Sequence, residues 1–243
     1  MKKPIFIVFE GGEAVGKSTM IRMLKERLEK KNIHTVVLRN PGTTPVGDMV
    51  RNLALDPSPE AKHYTTNAMR AAMMMASFRS VIERIVLWDQ AQEMPDVILC
   101  DRWWTTTMVY QGIADRYPAD QNIKTVTSLA EPLLTSIPSK INFLHPPTVL
   151  LSVHPEVSRV RRMLRDPATR DVMEQEPNDF HIGVHNRYLE WYRQNESRGN
   201  ILVEVTSPIT TVEQTFHLLC DMLVQARFLR KEWLTPTEET KEE

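Results

Sequence analysis

The chain has 243 residues, with 30 Lys and Arg set against 31 Asp and Glu for a formal net charge of −1. That length supports one substantial core, and the balanced charge excludes a protein devoted to the nucleic-acid backbone, which needs a strong excess of cations. Its two cysteines, Cys100 and Cys220, sit far apart in apolar surroundings and are expected as buried free thiols of a reducing compartment, the cytoplasm.

The N-terminal Met1-Lys2-Lys3 leads into a short apolar run, residues 4–10, which lacks the cleavage site of a signal peptide. No apolar window is long enough to span a membrane. The run reads as a strand, and it feeds directly into Gly11-Gly12-Glu13-Ala14-Val15-Gly16-Lys17-Ser18, a complete GxxxxGK[ST] phosphate loop. A helical pattern over residues 17–31 follows, beginning with Thr19 after the motif. In that setting the loop N–H groups and the helix N-terminus cradle phosphates. Gly11 through Thr19 are therefore the expected ATP-binding residues, with Lys17 on the terminal phosphates and Ser18 on Mg²⁺.

A second strand is expected at 34–39, ending in Arg39-Asn40, with helices at 46–55 and 64–93. A third strand at 96–100 ends in Asp101-Arg102. A carboxylate there can hold a Mg²⁺-bound water, and a fixed cation can clamp phosphates, so Asp101 joins Ser18 as a metal candidate and Arg102 is a catalytic one. In a helix at 103–112, Arg102, Thr106 and Tyr110 share one face and Thr107, Tyr110 and Gln111 another, a polar wall suited to a heterocycle. Trp103 and Trp104 suit either base stacking or the core.

Helices at 121–136, 155–165, 176–196 and 209–230 and strands at 147–153 and 201–205 complete the pattern. Nearly continuous apolar strands alternating with helices predict an α/β, three-layer fold, a five-stranded parallel sheet covered on both faces. Residues 235–243 are charged and expected to be disordered. Arg159, Arg161, Arg162, Arg165 and Arg170 precede or enter a segment, Asp166–Asn178, that carries Pro167 and Pro177 and reads as a mobile basic lid. His181 and His185 have metal-like spacing, but neither a third ligand nor a following glutamate accompanies them.

Phe9-Glu10-Gly11-Gly12-Glu13 through Thr19 resembles the phosphate loop of thymidylate kinases, and the likeness extends over most of residues 4–205. Leu38 to Gly47 is similar to that family's "TREPGGTPLG" segment, and Asp101-Arg102-Trp103 with Thr106 and Tyr110-Gln111-Gly112 is similar to "DRY…S…AYQG". The resemblance implies a P-loop NTPase fold, one kinase domain over 1–234 with a lid at about 159–178, and ATP-dependent phosphorylation of dTMP to dTDP. It implies Glu13, Arg39 and Arg51 on the acceptor, and Arg79 on the pyrimidine base. Met75 stands where the family has a stacking phenylalanine. A residue pair four apart shares a helix face, so Met75 and Arg79 are expected to line one pocket.

Two further departures stand out. Asn40 replaces a glutamate, and Val15 replaces the arginine that some members carry inside the loop, so a lid arginine (Arg161, Arg165 or Arg170) is expected to act instead. The resemblance also implies a homodimer acting on small nucleotides, with no membrane or stable nucleic-acid partner. Alternative readings are a kinase for a modified deoxyuridylate, a deoxynucleoside kinase, and a P-loop ATPase switch that gates a partner.

Overall fold

The computed structural model describes residues 3–113, 118–136, 141–164, 166, 171–205 and 210–236. Five strands, β1 (Ile5–Glu10), β2 (Thr35–Arg39), β3 (Val97–Asp101), β4 (Thr148–Val153) and β5 (Ile201–Val205), form one all-parallel sheet in the order β2-β3-β1-β4-β5. All five lie within a residue or two of their expected positions. Side-chain alternation splits the core in two. Ile7 and Phe9 face α1 (Lys17–Glu29) and α9 (Val212–Gln225), while Phe6 and Val8 face α4 (Asn67–Ala91) and α6 (Ala119–Thr135). Both faces are covered, which is why the strands read as continuous apolar runs.

Two expected helices start later than expected, each for a local reason. The helix expected at 64–93 begins at Asn67, because a separate short helix, α3 (Pro59–Tyr64), precedes it, Thr65 is extended and the Thr66 side chain caps α4 by accepting from the Met69 N–H. The stretch 209–230 begins only at Val212, where Thr211 and Gln214 form a reciprocal capping box, and a separate short helix, α10 (Lys231–Leu234), follows. The remaining helices are α2 (Pro45–Ala54), α5 (Trp104–Gln111), α7 (Pro155–Met163) and α8 (Asn178–Asn195).

The sheet order positions the site. β1 continues into α1 on one face, whereas its neighbour β3 continues into α5 and α6 on the other. Such a reversal opens a crevice at the carboxyl ends of the strands. Register brings Phe9 opposite Asp101 and Asp101 opposite Arg39, so the polar ends of β1, β3 and β2 meet at one edge. Trp103 settles into the core against Phe6 and Phe78 at ring-centroid distances of 5.4 and 5.1 Å, its indole N–H donating to the Phe143 carbonyl. The Trp104 indole donates to the Leu144 carbonyl. Cys100 and Cys220 are buried and unpaired. Among the described residues no helix is long and apolar enough to cross a membrane.

Candidate active site

A cleft of about 580 Å³ lies at that edge, floored by the β1–α1 loop. The loop geometry depends on glycine. Gly11 has φ 141° and a Cβ there would sit 2.3 Å from the Leu151 carbonyl oxygen, so any side chain would push the loop off the sheet. Gly16, at φ 103°, turns the chain into α1 without a side-chain cap, leaving the first N–H groups of that helix to a ligand. Lys17 is buried, and its ammonium donates to the carbonyls of Gly11 (3.0 Å) and Gly12 (2.8 Å). Burial, reinforced by nearby Arg102, lowers its pKa to about 8.

The Ser18 hydroxyl donates to Asp101 Oδ2 at 3.3 Å, while Asp101 Oδ1 is buried without a hydrogen-bond partner. A hydroxyl beside an unsatisfied carboxylate oxygen, at the foot of a phosphate loop, is a hard-oxygen donor set that fits Mg²⁺ held partly through water.

Arg102 is the hub of the cleft wall. It occupies the left-handed region at φ 71°, and its side chain pairs with Glu13 at 2.5 Å, donates to the Gly11 carbonyl at 3.0 Å, and lies 5.3 Å from the centre of the Tyr110 ring. Burial opposes its charge, but Glu13, Tyr110, Tyr188 and Asp101 together outweigh burial and hold the guanidinium firmly protonated. Burial, with the Glu13 charge beside it, pushes the Tyr110 phenol up, keeping it a neutral donor to Glu13 at 3.2 Å. Across the cleft stand two more guanidiniums. Arg39 lies 3.9 Å from Asp48, and Arg51 lies 3.8 Å from Asp171, the first described residue after the basic segment. Burial and the Arg39 charge lower the Arg51 pKa.

Of the expected site residues, Glu13 through Thr19, Arg39, Arg51, Asp101, Arg102 and Arg161 line this cleft. Arg161 reaches the Ala14 carbonyl at 3.3 Å, whereas Arg159 pairs with Glu156 and buried Arg162 bonds Ser158 and Asn178. Arg165, Arg170 and most of the 235–243 tail lie outside the described residues. In the described part of the segment read as a lid, Val172 and Met173 are buried against Tyr110 and Tyr188.

Met75 and Arg79, expected at the base, do not line this cleft. Met75 is buried in the core. Arg79 pairs with Glu83 at 2.7 Å and donates to the Ser136 hydroxyl at 2.8 Å. Thr106 bonds inward to Glu10, and Thr107 and Gln111 are buried, so none of the three forms the cleft wall. Asn40 likewise turns inward, accepting from Ser77 at 2.8 Å.

Sequence reasoning passed over two groups. Glu10 is fully buried and Tyr188 nearly so, and they meet across 178 residues, with no local pattern to announce it. Thr211 and Thr215 also line the cleft; the Thr211-x-x-Gln214 spacing signals a helix start but not a ligand. Burial and neighbouring Arg162 lower His181 to about 4, so it is neutral near pH 7.

The thymidylate kinase family model matches residues 9–215. The thymidylate kinase of Symbiobacterium thermophilum is 28% identical over 225 residues, covering 92% of this chain and 96% of that protein. That of Caldicellulosiruptor saccharolyticus is 31% identical over 201 residues, covering 83% and 89%. The crystal structure of thymidylate kinase from Ehrlichia chaffeensis superposes with a TM-score of 0.58 at 18% identity, over 90% of this chain and 97% of that one.

Proposed function

The chain belongs to the thymidylate kinase family, and on that premise we propose that it transfers the γ-phosphoryl group of ATP to a pyrimidine deoxynucleoside monophosphate, dTMP foremost. The observation that carries this reading is a single cleft lined both by the phosphate loop and by the cations Arg39 and Arg51. Two phosphate sites in one cleft suit a donor and a phosphorylated acceptor; a nucleoside without a phosphate would leave the second pair of cations idle.

Lys17 and the loop N–H groups hold the donor phosphates. Ser18 and Asp101 would hold Mg²⁺, which supplies charge neutralisation between the phosphates when bound. Arg39 and Arg51 receive the acceptor phosphate, and Glu13 keeps Arg102 aimed between the two. Arg161, at the loop carbonyl of Ala14, is our choice for the catalytic lid arginine. Phosphoryl transfer asks little covalent chemistry of the protein, so positioning and electrostatics carry the rate. We read residues 1–234 as one kinase domain with its lid at about 159–178, working in the cytoplasm, where Cys100 and Cys220 stay reduced.

ADP release, measured with ATP and Mg²⁺ against a panel of nucleosides and monophosphates including modified deoxyuridylates, should be fastest with dTMP. Turnover that is indifferent to every acceptor would instead favour an ATPase switch, and preference for a nucleoside would favour a deoxynucleoside kinase. Arg51→Ala should raise the acceptor KM about tenfold or more, the loss of charge-assisted bonds to phosphate, while moving the ATP KM less than about threefold.

A homodimer is part of the same reading. Val46, Met49 and Leu53, spaced 3 and 4 apart on α2, are 56%, 73% and 63% exposed and form an apolar stripe on a helix that packs against α4. We assign this stripe to a second copy of the chain. Light scattering should give twice the monomer mass for the wild type and a monomer for the Met49→Asp, Leu53→Asp double variant; a monomeric wild type at micromolar concentration rejects the assignment.

A further inference from the structure

Glu10 ends β1 with its carboxylate fully buried, immediately before the phosphate loop. Oε1 accepts from the backbone N–H groups of Trp103 (2.9 Å) and Thr106 (3.3 Å). Oε2 accepts from the hydroxyls of Thr106 (2.5 Å) and Tyr188 (3.0 Å). Trp103 is the N-cap of α5 and its side chain makes no capping bond. Glu10 therefore caps that helix from another strand, satisfying the cap and third-position N–H groups as a capping box does within one segment.

The residue just before that cap is Arg102. Its left-handed backbone is disfavoured for a side chain of its size and persists only where its surroundings hold it. The N–H of Arg102 donates to the Phe9 carbonyl at 3.0 Å, and the next N–H, that of Trp103, donates to Glu10. The peptides on both sides of Arg102 are thus tied to the last two residues of β1. At the other end of the side chain, Arg102 Nη1 lies 3.5 Å from the Tyr188 hydroxyl, which donates to Glu10.

We propose that Glu10 is a positioning residue that fixes Arg102 from both ends, through the α5 cap at the backbone and through Tyr188 at the guanidinium. Glu10 does not line the cleft, so it acts on the transferring phosphoryl group only through Arg102. The inference rests on the kinase reading for its rate assay but not for its geometry.

The decisive experiment is a double-mutant cycle of Glu10→Gln with Arg102→Lys. Glu10→Gln keeps the shape and removes the charge, and should lower kcat about 10- to 100-fold with KM values for both substrates within about threefold. If Glu10 works through Arg102, adding Glu10→Gln to Arg102→Lys costs no more than a further twofold. Full multiplication of the two losses, or a loss confined to KM, overturns the proposal. Should Glu10→Gln not fold, Tyr188→Phe removes one hydroxyl at the guanidinium end and takes its place in the cycle, with kcat expected to fall about 3- to 10-fold and the same non-additivity. A wild type inactive with every monophosphate would reject the kinase reading alone. The cycle is then read on ATP affinity by titration calorimetry, where additive losses again overturn the role of Glu10.

Discussion

Lys17→Met should abolish phosphoryl transfer, by about 10²–10³-fold or more, and yet leave the protein at least as resistant to heat as the wild type near pH 7. The two halves of this result have one cause. The Lys17 ammonium is buried under the phosphate loop with only two carbonyls as hydrogen-bond partners, and burial followed by the Arg102 charge lowers its pKa from 10.5 to about 8. A base whose folded pKa is depressed has its proton held more tightly in the unfolded chain between those values, so stability rises with pH from about 8 to 10.5 and the full cost applies below 8. That lowering corresponds to about 3 kcal/mol. Methionine fills most of the same volume without a charge to desolvate, and its loss of the two carbonyl bonds offsets part of the gain.

Scanning calorimetry of both proteins from pH 7 to 10 should show the variant equal to the wild type or a few degrees above it at pH 7, with the wild type gaining on it as pH rises. A variant that melts well below the wild type at pH 7 would mean that Lys17 supports the apo fold, and the prediction fails. The same depressed pKa makes ATP binding take up a proton above about pH 8, since phosphates favour the charged amine.

Arg102→Ala should behave in the opposite way, losing activity and stability together. Its pair with Glu13 is largely buried, the two side chains being 13% and 17% exposed. Removing one partner strands a desolvated charge, at a cost of about 3–5 kcal/mol, or a fall in Tm of roughly 6–20 °C for a chain of this size. The double variant Arg102→Ala, Glu13→Gln carries no stranded charge and should recover much of that fall. Activity should stay about 10³-fold or more below wild type in both if, as proposed, the guanidinium acts on the phosphates, because no cation replaces it. Equal melting temperatures for the single and double variants would show that the ion pair is not the source of the loss.

These contrasts show how unevenly the site is written along the chain. Ser18 and Lys17 announce themselves through a contiguous motif, and Asp101-Arg102 through their place at the end of an apolar run. Arg39 ends β2 and Arg51 lies on the next helix, α2, and the parallel register carries Arg39 to the same sheet edge as Asp101. Met75 and Arg79 illustrate the opposite case. They are four residues apart on one helix, yet Met75 enters the core and Arg79 reaches Glu83 and Ser136. Helical period states which residues are neighbours but not which neighbour element they meet. The rotation of α4 about its own axis is decided by its packing on α2, α5 and α6.

The sequence by itself determined the α/β class, the five strands and the phosphate loop with its lysine and serine, because each rests on interactions between residues close in the chain: alternation, capping and the turn geometry of glycine. Tertiary structure alone decided which arginines share the cleft, which polar residues of α5 turn inward, and that Glu10 and Tyr188 close around Arg102. Those outcomes rest on contacts between segments 80 to 180 residues apart, where burial and the need to satisfy every buried donor, not local pattern, choose the partner.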